Sequence, residues 1–171
     1  MDADANLLTA YRQERRDFIA ACEKAGADAI SRVHPAKGPD GKPLFCDSAA
    51  LGPRGAARAL LLIAGRGGLV TMLLRQGLAV PQGTRLVLVH ALDPFARVFG
   101  RPGMPPDWPR RTLASIATED MAQVRELVAL DMDGTGAKAA LAAALPKAAI
   151  LLRKVAAPDA QTLIGAAIAA L

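Results

Sequence analysis

Large rings are what this chain has least of. Aromatic residues make up 4% of a composition that is 52% hydrophobic. A core must therefore be assembled from Ala, Leu, Val and Ile, with Trp108, Tyr11 and four Phe as the only bulky rings. Histidine and cysteine are nearly absent, at two residues each. Cys22 and Cys46 lack metal-type spacing, and Cys22 falls on the apolar face of a predicted helix, where a thiol behaves as a small hydrophobe. The net charge of +5 is dispersed over pairs and triplets such as Arg12, Arg15 and Arg16, Arg110 and Arg111, and Arg153 and Lys154. No long block of like charge forms and no aromatics interleave the arginines, which excludes a base-stacking platform, so no specific nucleic acid is expected as a partner. No apolar run reaches about 18 residues without a charge, so nothing in the chain is expected to span a membrane. The start, Met1-Asp2-Ala3-Asp4, is acidic and leads into an amphipathic segment, unlike a signal peptide. A cytoplasmic location is the expectation.

What is present fits one domain: 171 residues can bury roughly two thirds of the surface that the unfolded chain exposes. Leu7 to Ala25 reads as a helix, with Leu7, Leu8, Tyr11, Phe18, Ile19 and Cys22 at helical spacing and Gly26 as the stop. Ala29–Val33 and Leu44–Ser48 are short strands joined through Lys37-Gly38-Pro39-Asp40-Gly41-Lys42, whose Pro-Asp-Gly chemistry predicts a hairpin. Arg58 to Ile63 is a continuous apolar run of the kind buried on both faces of a sheet. Gly65-Arg66-Gly67-Gly68 follows, then a helix from Leu69 to Gln76, then a second buried strand from Arg85 to His90. Strand, glycine turn, helix and strand make a βαβ unit with a parallel pair. Gly100 to Pro109 is rich in Pro and Gly and reads as a loop. Beyond it the spacing predicts helices over Thr112–Leu130, Ala137–Ala156 (broken or kinked at Pro146) and Asp159–Leu171.

In this order, the landmarks resemble a bacterial family of unknown function related to the zinc carboxypeptidases. Tyr11 and Phe18 are similar to residues of its opening helix, and Val33-His34-Pro35-Ala36-Lys37-Gly38-Pro39-Asp40-Gly41 resembles its first hairpin. Leu60-Leu61-Leu62-Ile63-Ala64-Gly65 and Leu73-Leu74-Arg75-Gln76-Gly77-Leu78 resemble the strand and helix that flank its metal loop. Leu88-Val89-His90-Ala91-Leu92-Asp93-Pro94-Phe95 resembles its His-Ala-x-Asn-Pro-Tyr segment, and Pro105-Pro106-Asp107-Trp108 a Pro-Pro-Asp-Trp stretch further on. The resemblance implies a metallopeptidase-like α/β fold over residues 7 to about 130.

The departures matter more than the matches. The resemblance implies two zinc ligands, a His and a Glu, in the loop after the first buried strand; here that loop reads Gly65-Arg66-Gly67-Gly68-Leu69. Its carboxylate-binding Asn-Arg pair has no counterpart where Phe99-Gly100-Arg101-Pro102-Gly103 passes to Pro105. Catalytic zinc needs three converging protein ligands, and no metal site, catalytic residue or cofactor is expected here. His34 reads as an exposed strand-end residue. His90 reads as a structural histidine, or as part of a remnant pocket with Asp93. Arg66, beside a helix N-terminus, could hold a carboxylate or phosphate, so Arg66, His90 and Asp93 are the candidate binding residues, with an acidic or carboxylate ligand.

A second motif competes. Leu127-Val128-Ala129-Leu130-Asp131-Met132-Asp133-Gly134-Thr135 resembles the first motif of the haloacid-dehalogenase phosphatases, in which the first Asp is the nucleophile and the second an acid/base beside Mg²⁺. The spacing of Leu113, Ile116, Ala117, Met121, Val124, Leu127 and Val128 predicts a helix rather than the strand that motif requires, and only 36 residues follow Thr135. The expectation is a three-layer α/β/α domain with a small mixed sheet: an α/β portion over 1–98, a Pro/Gly-rich loop over 99–111 and a helical C-terminal third over 112–171. Its function is expected to be that of a catalytically degenerate relative of the zinc carboxypeptidases, with a Mg²⁺-dependent phosphatase on Asp131 and Asp133, an unrecognised metal site and a basic protein-interaction module as alternatives.

Overall fold

The two continuous apolar runs do form neighbouring strands. In the computed structural model, β3 (Arg58–Ala64) and β4 (Thr84–His90) pair in parallel, with Leu60 opposite Leu86 and Leu62 opposite Leu88. Leu60, Leu61, Leu62, Ile63, Val87, Leu88 and Val89 are all fully inaccessible, as runs without polar alternation require. The structure describes residues 3–64, 68–78, 81–101, 105–131, 137–155 and 160–170.

The remaining strands extend this pair into a six-stranded mixed sheet in the order β1-β2-β4-β3-β5-β6. The predicted hairpin is β1 (Asp28–Lys37) against β2 (Pro43–Leu51), and β2 runs antiparallel to β4. On the other side, β5 (Glu126–Asp131) lies parallel to β3, and β6 (Ala149–Lys154) parallel to β5. Helices α1 (Ala3–Lys24), α2 (Leu69–Arg75) and α6 (Ala160–Ala170) bury Phe18, Cys22, Val70, Leu73 and Ile164 on one face, with Leu60, Leu62, Leu86 and Leu88. Helices α4 (Trp108–Asp120) and α5 (Lys138–Ala144) bury Leu113, Ile116 and Leu141 on the other, with Leu61, Ile63, Val87 and Val89. The successive residues of each strand thus feed two separate cores, as the pleat dictates. The three-layer α/β/α expectation holds.

The helical C-terminal third does not. The segment predicted as one helix from Thr112 to Leu130 is helix α4 followed by strand β5, with Met121 as the helix C-cap. The apolar positions of α4 happen to continue in phase through Val124 into Leu127 and Val128, and this hid the turn. Because β5 sits between β3 and β6, it is buried on both faces and shows no period-two signal. The predicted helix from Ala137 to Ala156 likewise splits at Leu145-Pro146 into α5 and β6. Its alanines favour helix, but Pro146 cannot continue one, and Ile150-Leu151-Leu152 is the strand. A short helix, α3 (Pro94–Phe99), was not anticipated, and Leu7, expected on the apolar face of α1, is 46% exposed.

Candidate functional site

Three strands deliver their carboxyl ends to the same side of the sheet: Ala64 of β3, His90 of β4 and Asp131 of β5. From β3 the chain passes to α2 on the α1 face, whereas from β5 it passes to α5 on the opposite face. Since β3 and β5 are neighbours, the connections diverge there, and such a divergence is where open α/β sheets bind ligands. The loops bordering it, 65–67 and 132–136, lie outside the described residues, and with them Arg66 and Asp133.

His90, one strand away, is 2% exposed and is the centre of a charged cluster. Its Nε2 lies 2.9 Å from Glu14 Oε1 on α1, and its Nδ1 lies 3.9 Å from Asp47 Oδ2 on β2, past hydrogen-bond range but close enough for charge to act. Glu14 Oε2 accepts from Arg97 Nη2 of α3 at 2.5 Å, and Glu14 Oε1 from the Gly68 amide at 3.3 Å. Asp47, 1% exposed, takes a bidentate pair from Arg15 at 2.6 and 2.8 Å and a 2.5 Å bond from the Ser31 hydroxyl. The Arg15 guanidinium also lies 4.3 Å over the Phe45 ring, a desolvated stacking site suited to arginine. Phe18 and Tyr11 hold near-parallel rings 5.3 and 6.2 Å from the imidazole, while the Tyr11 hydroxyl donates to the Phe45 carbonyl.

Electrostatics follows from the geometry. Burial alone would favour neutral imidazole, but the two carboxylates outweigh it and hold the His90 pKa above its ordinary value. Burial would also raise Glu14 and Asp47. Instead both carboxyls titrate below their usual range, Glu14 through His90 and Arg97, Asp47 through Arg15, His90 and Ser31. Burial drives the Tyr11 hydroxyl strongly upward, and pushes the Cys22 thiol up to about 12, so neither serves as an anion at neutral pH.

The backbone bends sharply just past the imidazole. Ala91 has φ 54°, the only non-glycine residue at positive φ among the described residues. That conformation is rare for a residue with a Cβ and marks stored strain of a kind found at functional sites. Asp93, expected beside His90, instead caps α3, its Oδ1 accepting from the Ala96 amide at 2.9 Å. It thereby orients the helix that carries Arg97 to Glu14. His34 lies within β1, its side chain outside the described residues. Asp131 is 1% exposed at the end of a central strand, so the strand context expected to be missing from its motif is present.

Glu14, Arg15, Asp47 and Arg97 were not among the candidate residues. One signal was available for the first two. Both lie between the buried rings Tyr11 and Phe18, at three or four residues from each, which puts two charges on the apolar face of α1.

The residues at this end do not fit a catalytic zinc. The loop after β3 offers neither His nor Glu, and among the described residues no group of three His, Cys, Asp or Glu could hold a metal ion. His90 faces carboxylates already bonded to guanidinium groups, and their pull on its proton works against the neutral imidazole that a metal needs.

The model of the family described as "Protein of unknown function (DUF2817)" matches residues 8–102. No curated protein sequence matches the chain. Among solved structures, glutaminyl cyclase from Fimbriiglobus ruber is 14% identical at a TM-score of 0.44, covering 70% of this chain and 53% of its own. A Zn-dependent exopeptidase from Parabacteroides distasonis is 14% identical at 0.44, with coverages of 75% and 59%. A putative Zn-dependent exopeptidase from Bacteroides vulgatus is 19% identical at 0.42, with coverages of 72% and 51%. The chain thus spans about half to three fifths of the length of these structures, and likenesses this loose carry no argument about chemistry.

Proposed function

The chain belongs to the DUF2817 family, and from that premise we propose that it is a zinc-exopeptidase-like protein without zinc hydrolysis, whose remaining role is to bind an acidic or carboxylate ligand at the carboxyl ends of β3, β4 and β5. One observation carries the reading. The histidine at the end of β4 sits between two carboxylates that are themselves paired with two guanidinium groups, and among the described residues no group of three His, Cys, Asp or Glu could hold a metal ion. Catalytic zinc requires three converging protein ligands and a deprotonated imidazole; here the carboxylates facing His90 favour its protonated form. The motif resemblance of residues 88–95 and 105–108 supports the ancestry, and the Gly65-Arg66-Gly67-Gly68-Leu69 loop supports the loss. Arg66 is the cation proposed to meet the ligand, with His90 and Asp93 supporting the strand end and helix beneath.

Elemental analysis of the purified protein is the test. The expected result is no stoichiometric zinc, together with no exopeptidase or deacylase turnover when Zn²⁺ is supplied. About one zinc per chain, lost in His90→Ala, would overturn the proposal.

A second reading stands on a separate observation: Asp131 ends a buried parallel strand, as the phosphatase motif requires. It ranks second because Asp131 is 1% exposed and a nucleophile must reach its substrate. Mg²⁺-dependent turnover of a generic phosphate ester, abolished by Asp131→Asn, would put it first.

A further inference from the structure

The two edges of the sheet are not alike. Strand β1 is guarded: Pro35 interrupts its amide row, and its register shifts between Val33 and Lys37, both devices that keep an edge from pairing. Strand β6 has neither. It reads Ala149-Ile150-Leu151-Leu152-Arg153-Lys154, ends the sheet, and leaves Leu151 44% exposed.

Its ladder fixes which groups face outward. The Ala149 amide donates to the Arg125 carbonyl at 2.7 Å, and the Val155 amide to the Asp131 carbonyl at 3.4 Å. With the strand's period of two, the odd residues from 149 to 155 turn their amides toward β5. Ile150, Leu152 and Lys154 therefore present N–H and C=O to the open edge. An antiparallel partner must set outward residues opposite outward residues, and for a second copy of this strand two registers keep most of the length, one centred on Leu151 and one on Leu152.

Charge and shape choose between them. Centred on Leu152, Lys154 would stand opposite Ile150 and Arg153 opposite Leu151. Centred on Leu151, Ile150 meets Leu152 of the second copy, and the two Leu151 side chains meet across the axis as a close, non-hydrogen-bonded pair. Arg153 then lies opposite Ala149 of the second copy, in the row that continues through Glu126 to Arg58. Ala149 is too short to block that row, so Arg153 would reach toward Glu126, which is 56% exposed and pairs with Arg58 at 2.9 Å.

We infer that β6 is a self-association edge: two copies of this chain pair their β6 strands antiparallel about Leu151 and merge their sheets into one, under two-fold symmetry. The inference stands apart from the proposed function and survives its failure, since it uses none of the residues around His90.

Light scattering of the full chain on a sizing column tests it. The expected mass is twice 17.8 kDa, falling to a single copy in Leu151→Lys, which sets two ammonium groups against each other at the axis. Arg153→Glu should weaken the dimer, and Glu126→Arg added to it should restore it. Leu151→Cys should cross-link spontaneously, because Cα atoms about 4.5–5.5 Å apart suit a disulfide, whereas Arg153→Cys should not. A wild-type chain that stays monomeric, a dimer that survives Leu151→Lys while circular dichroism shows it folded, or preferential cross-linking at residue 153 would each overturn the inference.

Discussion

Strand β4 buries a basic side chain at each end, and the two are held in different ways. At its amino end Arg85 is 4% exposed, donates to the Gly52 carbonyl at 2.9 Å and lies 3.4 Å from Asp120 at the end of α4; its Nε has no partner. At its carboxyl end His90 joins Glu14, Asp47, Arg15 and Arg97, drawing α1, β2 and α3 onto the strand, and the next residue sits at positive φ. The amino end is a pin: one cation fastens one helix end to the sheet. The carboxyl end is a network of several charges, in which His90 Nδ1 and Arg97 Nε also lack hydrogen-bond partners, with backbone strain beside it, on the side where the βαβ connections diverge. Both cost desolvation; only the second gathers the ingredients of a binding site.

Removing one carboxylate should separate the two ends most sharply. Asp47→Ala leaves the Arg15 guanidinium and the His90 imidazole without their shared anion, in a place where Asp47 is 1% exposed. Breaking a buried pair in this one-sided way costs about 3–5 kcal/mol, a large share of the roughly 5–15 kcal/mol that stabilises a domain. Denaturant midpoints measure it. A loss under about 1 kcal/mol, the value of an exposed pair, would mean that the network relaxes into solvent and is no more integral than the pin.

The amino end should answer to backbone instead. Gly52 has φ 86°, and a Cβ there would stand 2.5 Å from the Thr84 carbonyl oxygen, next to Arg85. Gly52→Ala must therefore shift backbone atoms, and should cost about 1–3 kcal/mol. The shift would also move the carbonyl that Arg85 binds. Combining Gly52→Ala with Arg85→Met should cost less than the sum of the two single changes, because they disturb one contact; additive losses would show that they act separately.

How much of this was legible beforehand follows the same division. The uninterrupted runs Leu60–Ile63 and Leu86–Val89 announced two central strands, and Pro39-Asp40-Gly41 announced the hairpin. His90 and Asp93 stood out because they close such a run. Their partners did not: Glu14 and Asp47 reach His90 from 76 and 43 residues away in the chain, and no local pattern encodes that meeting. Strands β5 and β6 were lost for another reason. The chain is rich in alanine and leucine, which suit helix as well as sheet interior, and in phase with α4 they looked like its continuation. Pro146 was the one letter that marked the break between α5 and β6.

The smallest effect is a drift with pH, in which no atom is lost and only one proton moves. His90 holds its proton more tightly folded than unfolded, because Glu14 and Asp47 face it. Its contribution is complete below the unfolded value of about 6.5 and fades as pH rises through the higher folded value, since the native state then binds more protons than the unfolded state and the slope of stability against pH is negative. Glu14 and Asp47 act in the opposite sense. Their folded values are lowered, so their contribution is complete above about pH 4.3 and is lost as pH falls through those values. Stability attributable to the cluster should therefore be greatest in a mildly acidic window and decline on both sides. The part of the alkaline decline that begins near neutral pH should vanish in His90→Gln, which keeps a hydrogen bond to Glu14 but cannot titrate, while the acid decline persists, as does the loss above about pH 8.5 that the buried Cys22 thiol brings. If the slope between about pH 6.5 and 8.5 is unchanged in that variant, the proton that moves there belongs elsewhere in the molecule, and the imidazole at the end of β4 is neutral when folded.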